Sequence, residues 1–381
     1  MQLSHHKWDV QVGDLSSLAP FPLLMSRPSW QVLARLAERL TVETLAVERA
    51  LFARPDLYSQ IALPRPLHRL FAQHAATAAA ARVMRFDFHY TPDGWRISEV
   101  NSDVPGGFTE ATNFARLVAT LVPGTSPPGD PTHALVESLA NIAGDRGVVA
   151  LMNAPGHMED HQVVAHLAAA LRRRGLQAHL ISPHHLRWKD GHAQVETAWC
   201  AGQVDAIVRF YQAEWLARLP RRHWSPLFVG GQTPVANPGI AALTESKRLP
   251  LVWDALGTAV PTWRQLLPET RPIEAVPWRS DGGWLIKSAY SNTGDTVSIR
   301  EAMSKTAWAR RVWSARLRPS QWVAQRRFTI SPIAHLGGVL RPCIGVYTVD
   351  GKCAGAYARL ARGPVVDFSA CDAALLICDE A

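Results

Sequence analysis

The chain contains no apolar run approaching the roughly 18 residues that a membrane-spanning helix needs, so no transmembrane segment is expected. Its opening stretch, with His5, His6 and Lys7, lacks the apolar core of a signal peptide, and the expected compartment is the cytoplasm. Cysteine is scarce: residues 200, 343, 353, 371 and 378 form no C-x-x-C pair and are odd in number. That pattern speaks for buried free thiols in a reducing compartment rather than a disulfide or a metal site. Neither G-x-G-x-x-G nor G-x-x-x-x-G-K-[ST] occurs, which leaves a dinucleotide or P-loop site without support. A G-x-S-x-G elbow is missing too, and no cysteine pairs recognisably with a histidine, so nucleophilic hydrolysis has no motif to rest on. With 47% hydrophobic and 19% charged residues over 381 positions, the composition excludes a disordered chain and allows a large core shared by two or three subdomains.

Lysine is the other scarcity. Of 40 basic residues only six are lysines (7, 189, 247, 287, 305 and 352), and the rest are arginines. A lysine here is therefore a choice, because a compact ammonium and a planar guanidinium fork do different chemistry. The net charge of +8 is spread along the chain, with only short clusters such as Arg172-Arg173-Arg174, and no nucleic-acid partner is expected. The oligomeric state is not legible.

Helical spacing of apolar residues predicts helices over 30–52 and 67–81. Residues 83–90 and 95–100 alternate with period two around Thr91-Pro92-Asp93-Gly94, a turn signal, and so form a β-hairpin. A helix is expected over 109–121 and a Pro/Gly-rich linker over 123–131. Beyond it the pattern is α/β: helix 134–143, strand 148–152, helix 160–173 and strands 177–181 and 204–208. The last part mixes a helix over 247–256 with strands at 284–287, 296–299 and 322–326 and a hairpin 344–349/354–360.

The first hairpin carries the chemistry. Alternation puts Arg85 and Asp87 on one strand face and Glu99 and Asn101 on one face of the returning strand. Two carboxylates and an amide oxygen beside an arginine suit Mg²⁺, a hard cation held by one or two carboxylates plus substrate phosphates. A solvated strand face with a structural Arg–Asp pair fits the same spacing. In His157-Met158-Glu159-Asp160-His161 the glutamate is misplaced for a zinc motif, and Asp160 reads as a helix N-cap.

Arg85-Phe86-Asp87-Phe88 followed by Glu99-Val100-Asn101-Ser102-Asp103 resembles the magnesium and phosphate region of the glutathionylspermidine synthase family of circularly permuted ATP-grasp ligases. Val204 to Tyr211 with Glu214-Trp215, Ser246-Lys247 before Leu249-Pro250, and Leu285-Ile286-Lys287 before a Gly-containing loop resemble further stretches of that family in the same order. The resemblance implies an α/β ATP-grasp fold, circularly permuted, with a Rossmann-like pre-ATP-grasp subdomain. The corresponding division is 1–134 (helices plus Mg-binding hairpin), 135–236 (Rossmann-like subdomain) and 237–381 (ATP-binding lobe).

It further implies an ADP-forming carboxylate–amine ligase using ATP and Mg²⁺ on small-molecule substrates. Asp87, Glu99 and Asn101 would bind the metal, Arg85 would face the reacting phosphoryl group, and Lys247 and Lys287 would contact ATP phosphates. Gly294 would lie in a lid over the nucleotide and Gln325 beside the adenine. The chain departs from the family pattern in having Ser291-Asn292-Thr293-Gly294 where the family has an arginine-containing loop, and Ser288 where it has proline. No cysteine precedes Arg85, so the thiol amidase activity of bifunctional relatives is not expected. An ATP-binding protein without ligase activity is the alternative.

Overall fold

Strand β1 (Leu23–Ser26) runs directly into helix α1 (Arg27–Phe52), whose start is set by Ser26: its side chain accepts from the Ser29 amide as an N-cap. In this computed structural model the described residues are 6–12, 15–198, 200–290, 297–335 and 338–379. One face of α1 (Trp30, Leu33, Ala37, Leu40, Val47, Leu51) is buried, as its spacing predicts. Helix α2 (Arg65–Gln73) stops eight residues short of the expected Ala81. The alanines beyond it favour helix locally, but Ala76 and Ala79 bridge to Val229 and Val235 as extended chain, and tertiary pairing overrides propensity.

The predicted hairpin is β2 (Val83–Thr91) and β3 (Gly94–Asn101), followed by a helical stretch over 110–119 whose first turn is π-helical. The expected linker is structured. Thr125–Ser126 pairs with the C-terminal strand, Gly129 lies against the Ala354 backbone where a Cβ would collide, and Asp130 caps α3 (Pro131–Ala143). Next come β4 (Val148–Asn153), α4 (Met158–Arg174), β5 (Gln177–Ile181), β6 (Ala206–Phe210) and β7 (Val235–Ala236). Helix α4 is capped by His157 without a side-chain bond, so Asp160 is in the first turn rather than at the N-cap. The four strands form a parallel sheet in the order β7-β6-β4-β5, and their nearly continuous apolar runs fit a sheet covered on both faces.

The remainder supplies β8 (Thr270–Pro272), β9 (Trp284–Ser288), α5 (Lys305–Leu317), β10 (Trp322–Arg326), β11 (Gly338–Val349), β12 (Lys352–Ala361), β13 (Cys371–Ala373) and β14 (Leu375–Cys378). Pro250 and Gly257 break the expected 247–256 helix into a 3₁₀ turn (Leu249–Val252) and a single α-turn (Trp253–Leu256). The expected 296–299 strand amounts, among described residues, to one bridge between Ser298 and Ile286. Helix α5 was not legible because only Ala315 is buried on it and its apolar residues follow no single face.

Two sheets frame the site. A six-stranded sheet runs β13-β12-β11-β2-β3, with Ile333–His335 paired to β11, and so joins a hairpin from the first third of the chain to strands from about its last eighth. A three-stranded antiparallel sheet runs β8-β10-β9. Strands β1 and β14 pair in parallel, which brings the two ends of the chain together. Among described residues every cysteine is free, but only Cys343 is buried and the other four are half-buried, and no helix is long and apolar enough to cross a membrane.

Candidate active site

The register of the first hairpin sets the site. Asp87 pairs directly with Glu99, and Arg85 with Asn101. After Asp87 the pairing jumps, Phe88 facing Ile97, so that Ser98 is an extra residue and β3 carries a bulge. The bulge leaves the Ser98 carbonyl available, and Lys287 Nζ donates to it at 3.0 Å from β9 in the other sheet. The row across the large sheet continues from Asp87 to Gly345 on β11 and Tyr357 on β12. A Cβ at Gly345 would stand 2.9 Å from Arg85 Cδ and 3.1 Å from the Tyr357 ring. Glycine at that position is what lets the Arg85 side chain lie flat over the sheet.

Arg85 is held from three sides. Its Nε donates to Asp87 Oδ1 at 2.8 Å, Nη2 to Asp87 Oδ2 at 3.0 Å, and Nη1 to the Gly106 carbonyl at 2.9 Å. The guanidinium also lies 5.7 Å from the Tyr357 ring centroid. Asn101 Nδ2 donates to Asp87 Oδ2 at 3.2 Å. The structural Arg–Asp pair and the convergence of both acids are thus present together.

Lys247 approaches Glu99 at 3.5 Å, and Lys287 is 3% exposed. One carboxylate serves two ammonium groups. Burial works to raise the Glu99 carboxyl, but Lys247, then Lys287 and Arg85, outweigh it and hold the group below its ordinary value. Burial also opposes the charge on Lys247, yet Glu99, Glu245 and Glu214 lift it above the usual lysine value. Lys287 receives less compensation, and burial brings it down to about 8 with Lys247 adding to the effect. Behind the lysines, burial pushes Glu214 up to about 7 and Glu245 up to about 8.

A cleft between the sheets joins these groups. Its lining includes the polar side chains Asp87, Glu99, Lys287 and Gln325 and the apolar Leu285, Ile299, Phe328 and Ile330. Gln325 is on β10, where its Nε2 donates to Thr270 Oγ1 at 3.1 Å. Lys247 and Glu245 line an adjoining recess with Trp253 and Trp263. Five expected residues (Asp87, Glu99, Lys247, Lys287 and Gln325) line these two cavities, and Arg85 and Asn101 line a further one that shares Glu99 with both. Gly294 lies outside the described residues.

The family model for the glutathionylspermidine synthase pre-ATP-grasp domain matches residues 30–372. The chain belongs to this family. The match thus spans the first hairpin, the parallel sheet and strands β8 to β12. No curated protein matches the sequence. Among solved structures, a glutathione synthetase-like effector from Globodera pallida in its apo form superposes with a TM-score of 0.65 at 12% identity, over 94% of this chain and 89% of that one. A protein described as a gamma-glutamylcysteine synthetase from Methylobacillus flagellatus superposes with a TM-score of 0.44 at 13% identity, over 84% and 82%. The first of these shows a mixed α/β fold shared with a synthetase-like protein.

Sequence reasoning missed several residues of the site. Arg359 on β12 lines both the cleft between the sheets and a second cavity beyond Arg85, and Tyr357 sits two residues before it on the same strand face. The two-residue spacing of Tyr357 and Arg359 amid Ala356, Ala358 and Leu360 was the available signal. Glu245, whose Oε2 accepts from the Ser102 and Asp103 amides at 2.7 and 2.9 Å, carried none.

The donor set fits a hard divalent cation. Asp87 and Glu99 face each other with oxygen donors only, and among the described residues Asp87 Oδ1 accepts a single hydrogen bond and keeps a lone pair to offer. Among described residues no three His, Cys, Asp or Glu converge as a metal cage, so a cation here relies on substrate oxygens for the rest of its shell. Asn101 turns its amide N–H toward Asp87 and would have to rotate that amide to act as a ligand.

Proposed function

We propose that the protein is an ATP- and Mg²⁺-dependent carboxylate–amine ligase that joins a small-molecule acid to a small-molecule amine and releases ADP and phosphate. One observation carries the reading: two carboxylates, a guanidinium and two buried ammonium groups line adjoining cavities that share Glu99, an arrangement suited to a polyanion and a divalent cation. Family membership supports a ligase of the ATP-grasp kind.

In this reading Lys247 and Lys287 bind phosphate oxygens as point charges, and Gln325 and the apolar wall orient the base. Asp87 and Glu99, with Asn101 after its amide turns, would hold Mg²⁺. That ion, when bound, neutralises phosphate charge. A carboxylate oxygen of the acid attacks the γ-phosphorus and ADP departs. The amine nitrogen then attacks the acyl carbon, the C–O bond to phosphate breaks, and the nitrogen loses a proton. Arg85, held flat by Asp87 and the Gly106 carbonyl, is poised for the oxyanion that develops on the acyl group. Gly294 would serve in the lid over the nucleotide.

The same reading treats residues 135–236 as a Rossmann-like pre-ATP-grasp subdomain. Residues 1–134 and 237–381 then make up a circularly permuted ATP-grasp unit, and the chain acts in the cytoplasm. The large sheet built from both chain ends supports the permutation. A second reading, a nucleotide-binding protein without ligase activity, draws on the mutual satisfaction of Arg85 and Asp87. ADP release measured across a panel of amino acids, peptides and polyamines tests both. Acid- and amine-dependent ADP release establishes the ligase, whereas calorimetric ATP binding with no release across the panel leaves the second reading.

A further inference from the structure

A strap at the N-terminus, residues 6–12, buries Lys7 in the second cavity beyond Arg85. The ammonium lies 2.5 Å from Glu110, 2.9 Å from Asp9 and 3.1 Å from Asp372, and the side chain is 2% exposed. Burial opposes its charge, but Glu110, Asp372 and Asp9 outweigh burial and keep the group protonated. The strap is pinned beside it: the Trp8 amide donates to Gln162 Oε1 at 2.8 Å, and the Trp8 ring lies 5.7 Å from that of His161.

The cavity, about 270 Å³, is lined by Arg85, Glu99 and Asn101 of the reaction centre and, elsewhere on its wall, by Glu159, Asp160 and Gln212. Gln212 is 6% exposed and its Nε2 donates to Asp160 at 3.3 Å, yet its Oε1 has no hydrogen-bond partner among the described residues. A buried acceptor left open in a cavity of carboxylates marks a place for a ligand N–H or O–H. Besides Arg85 and Arg359 on the same wall, the Asp9, Glu110 and Asp372 end of the cavity already holds a cation supplied in cis, Lys7. A ligand ammonium would have to displace one tethered to the same chain, whose effective concentration is on the order of millimolar.

We propose that Lys7 is a specificity-determining residue: its ammonium fills the cation-binding end of the substrate cavity, so that the amine taken there carries no second positive charge. The inference rests on the ligase reading for the word amine, and its test reads binding rather than turnover. Lys7→Ala opens the carboxylate cage, and 1,4-diaminobutane should bind it at least tenfold tighter than it binds the wild-type protein by calorimetry, with 1-butanol binding unchanged between the two. Equal diamine affinity overturns the proposal. Should Lys7→Ala not fold, Lys7→Met is one heavy atom shorter and uncharged, leaving the Nζ position open. Methylammonium should then raise its Tm and leave that of wild type unmoved, and no rise overturns the proposal. Absence of ADP release would sink the ligase reading and leave these binding results standing.

Discussion

Replacing Arg85 by lysine separates a catalytic guanidinium from a structural one. The arginine makes three hydrogen bonds, two to Asp87 and one to the Gly106 carbonyl, and lies over Tyr357. A lysine at the end of a flexible stem reproduces one of the three. Hydrogen bonds to charged groups contribute about 1.5–3 kcal/mol each, so Arg85→Lys should cost at least about 3 kcal/mol of stability even though the positive charge is kept. On top of that, losing a positioned donor to a developing oxyanion lowers kcat by about 10²- to 10³-fold, equivalent to roughly 3–4 kcal/mol, with a smaller effect on ATP affinity. Melting temperature and single-turnover ADP formation, measured on one preparation at a temperature where both proteins are folded, give the two effects independently. A lower Tm with an unaltered rate per folded molecule would refute the catalytic role and leave Arg85 as the clamp of Asp87.

Further tests follow from the same geometry. Asp87→Asn and Glu99→Gln should each nearly abolish ADP formation while circular dichroism stays native, and full activity in both would remove them from the metal site. Lys247→Met and Lys287→Met should each raise the Kd for ATP, since each deletes a phosphate partner, and calorimetry showing unchanged affinity in both would return them to a structural role. Gly345→Ala, which sets a methyl 2.9 Å from Arg85 Cδ, should lower kcat by displacing the guanidinium while ATP affinity holds. Burial lowers His166 to about 4, so the folded state disfavours its protonation. Its contribution to stability is complete above the unfolded value near 6.5 and is lost as pH falls from there toward 4, about 3 kcal/mol in total. His166→Gln should flatten the fall of the urea midpoint between pH 7 and 5, and an identical slope would count against this burial effect.

What could be read from the sequence was local. Pro92-Asp93-Gly94 and the flanking alternation located the hairpin, and the same alternation put Arg85 with Asp87 and Glu99 with Asn101 on matching faces. The bulge at Ser98 left no trace, because serine sits as well in a regular strand, and only the jump in pairing reveals it. Lys247 and Lys287 were found by resemblance, since no periodicity links them to a hairpin some 150 to 190 residues earlier. Lys7 carried no pattern at all: its burial depends on Glu110 and Asp372, which only tertiary packing brings to it. Local propensity also failed where distant pairing intervened, as in the alanine-rich 75–81 stretch and the Pro/Gly-rich 123–131 stretch.

The large sheet also has a consequence for biosynthesis. Its β2–β3 hairpin leaves the ribosome about 240 residues before β11, the strand that covers its inner edge. At about 5–20 residues per second, that interval is roughly 12 to 50 seconds. During it the β2 edge stands open, with Phe86 and Phe88 not yet covered by the strands of the C-terminal end. A nascent chain stalled before β11 would present an aggregation-prone edge and an unassembled cleft, so folding of this protein should depend on completing its last forty or so residues.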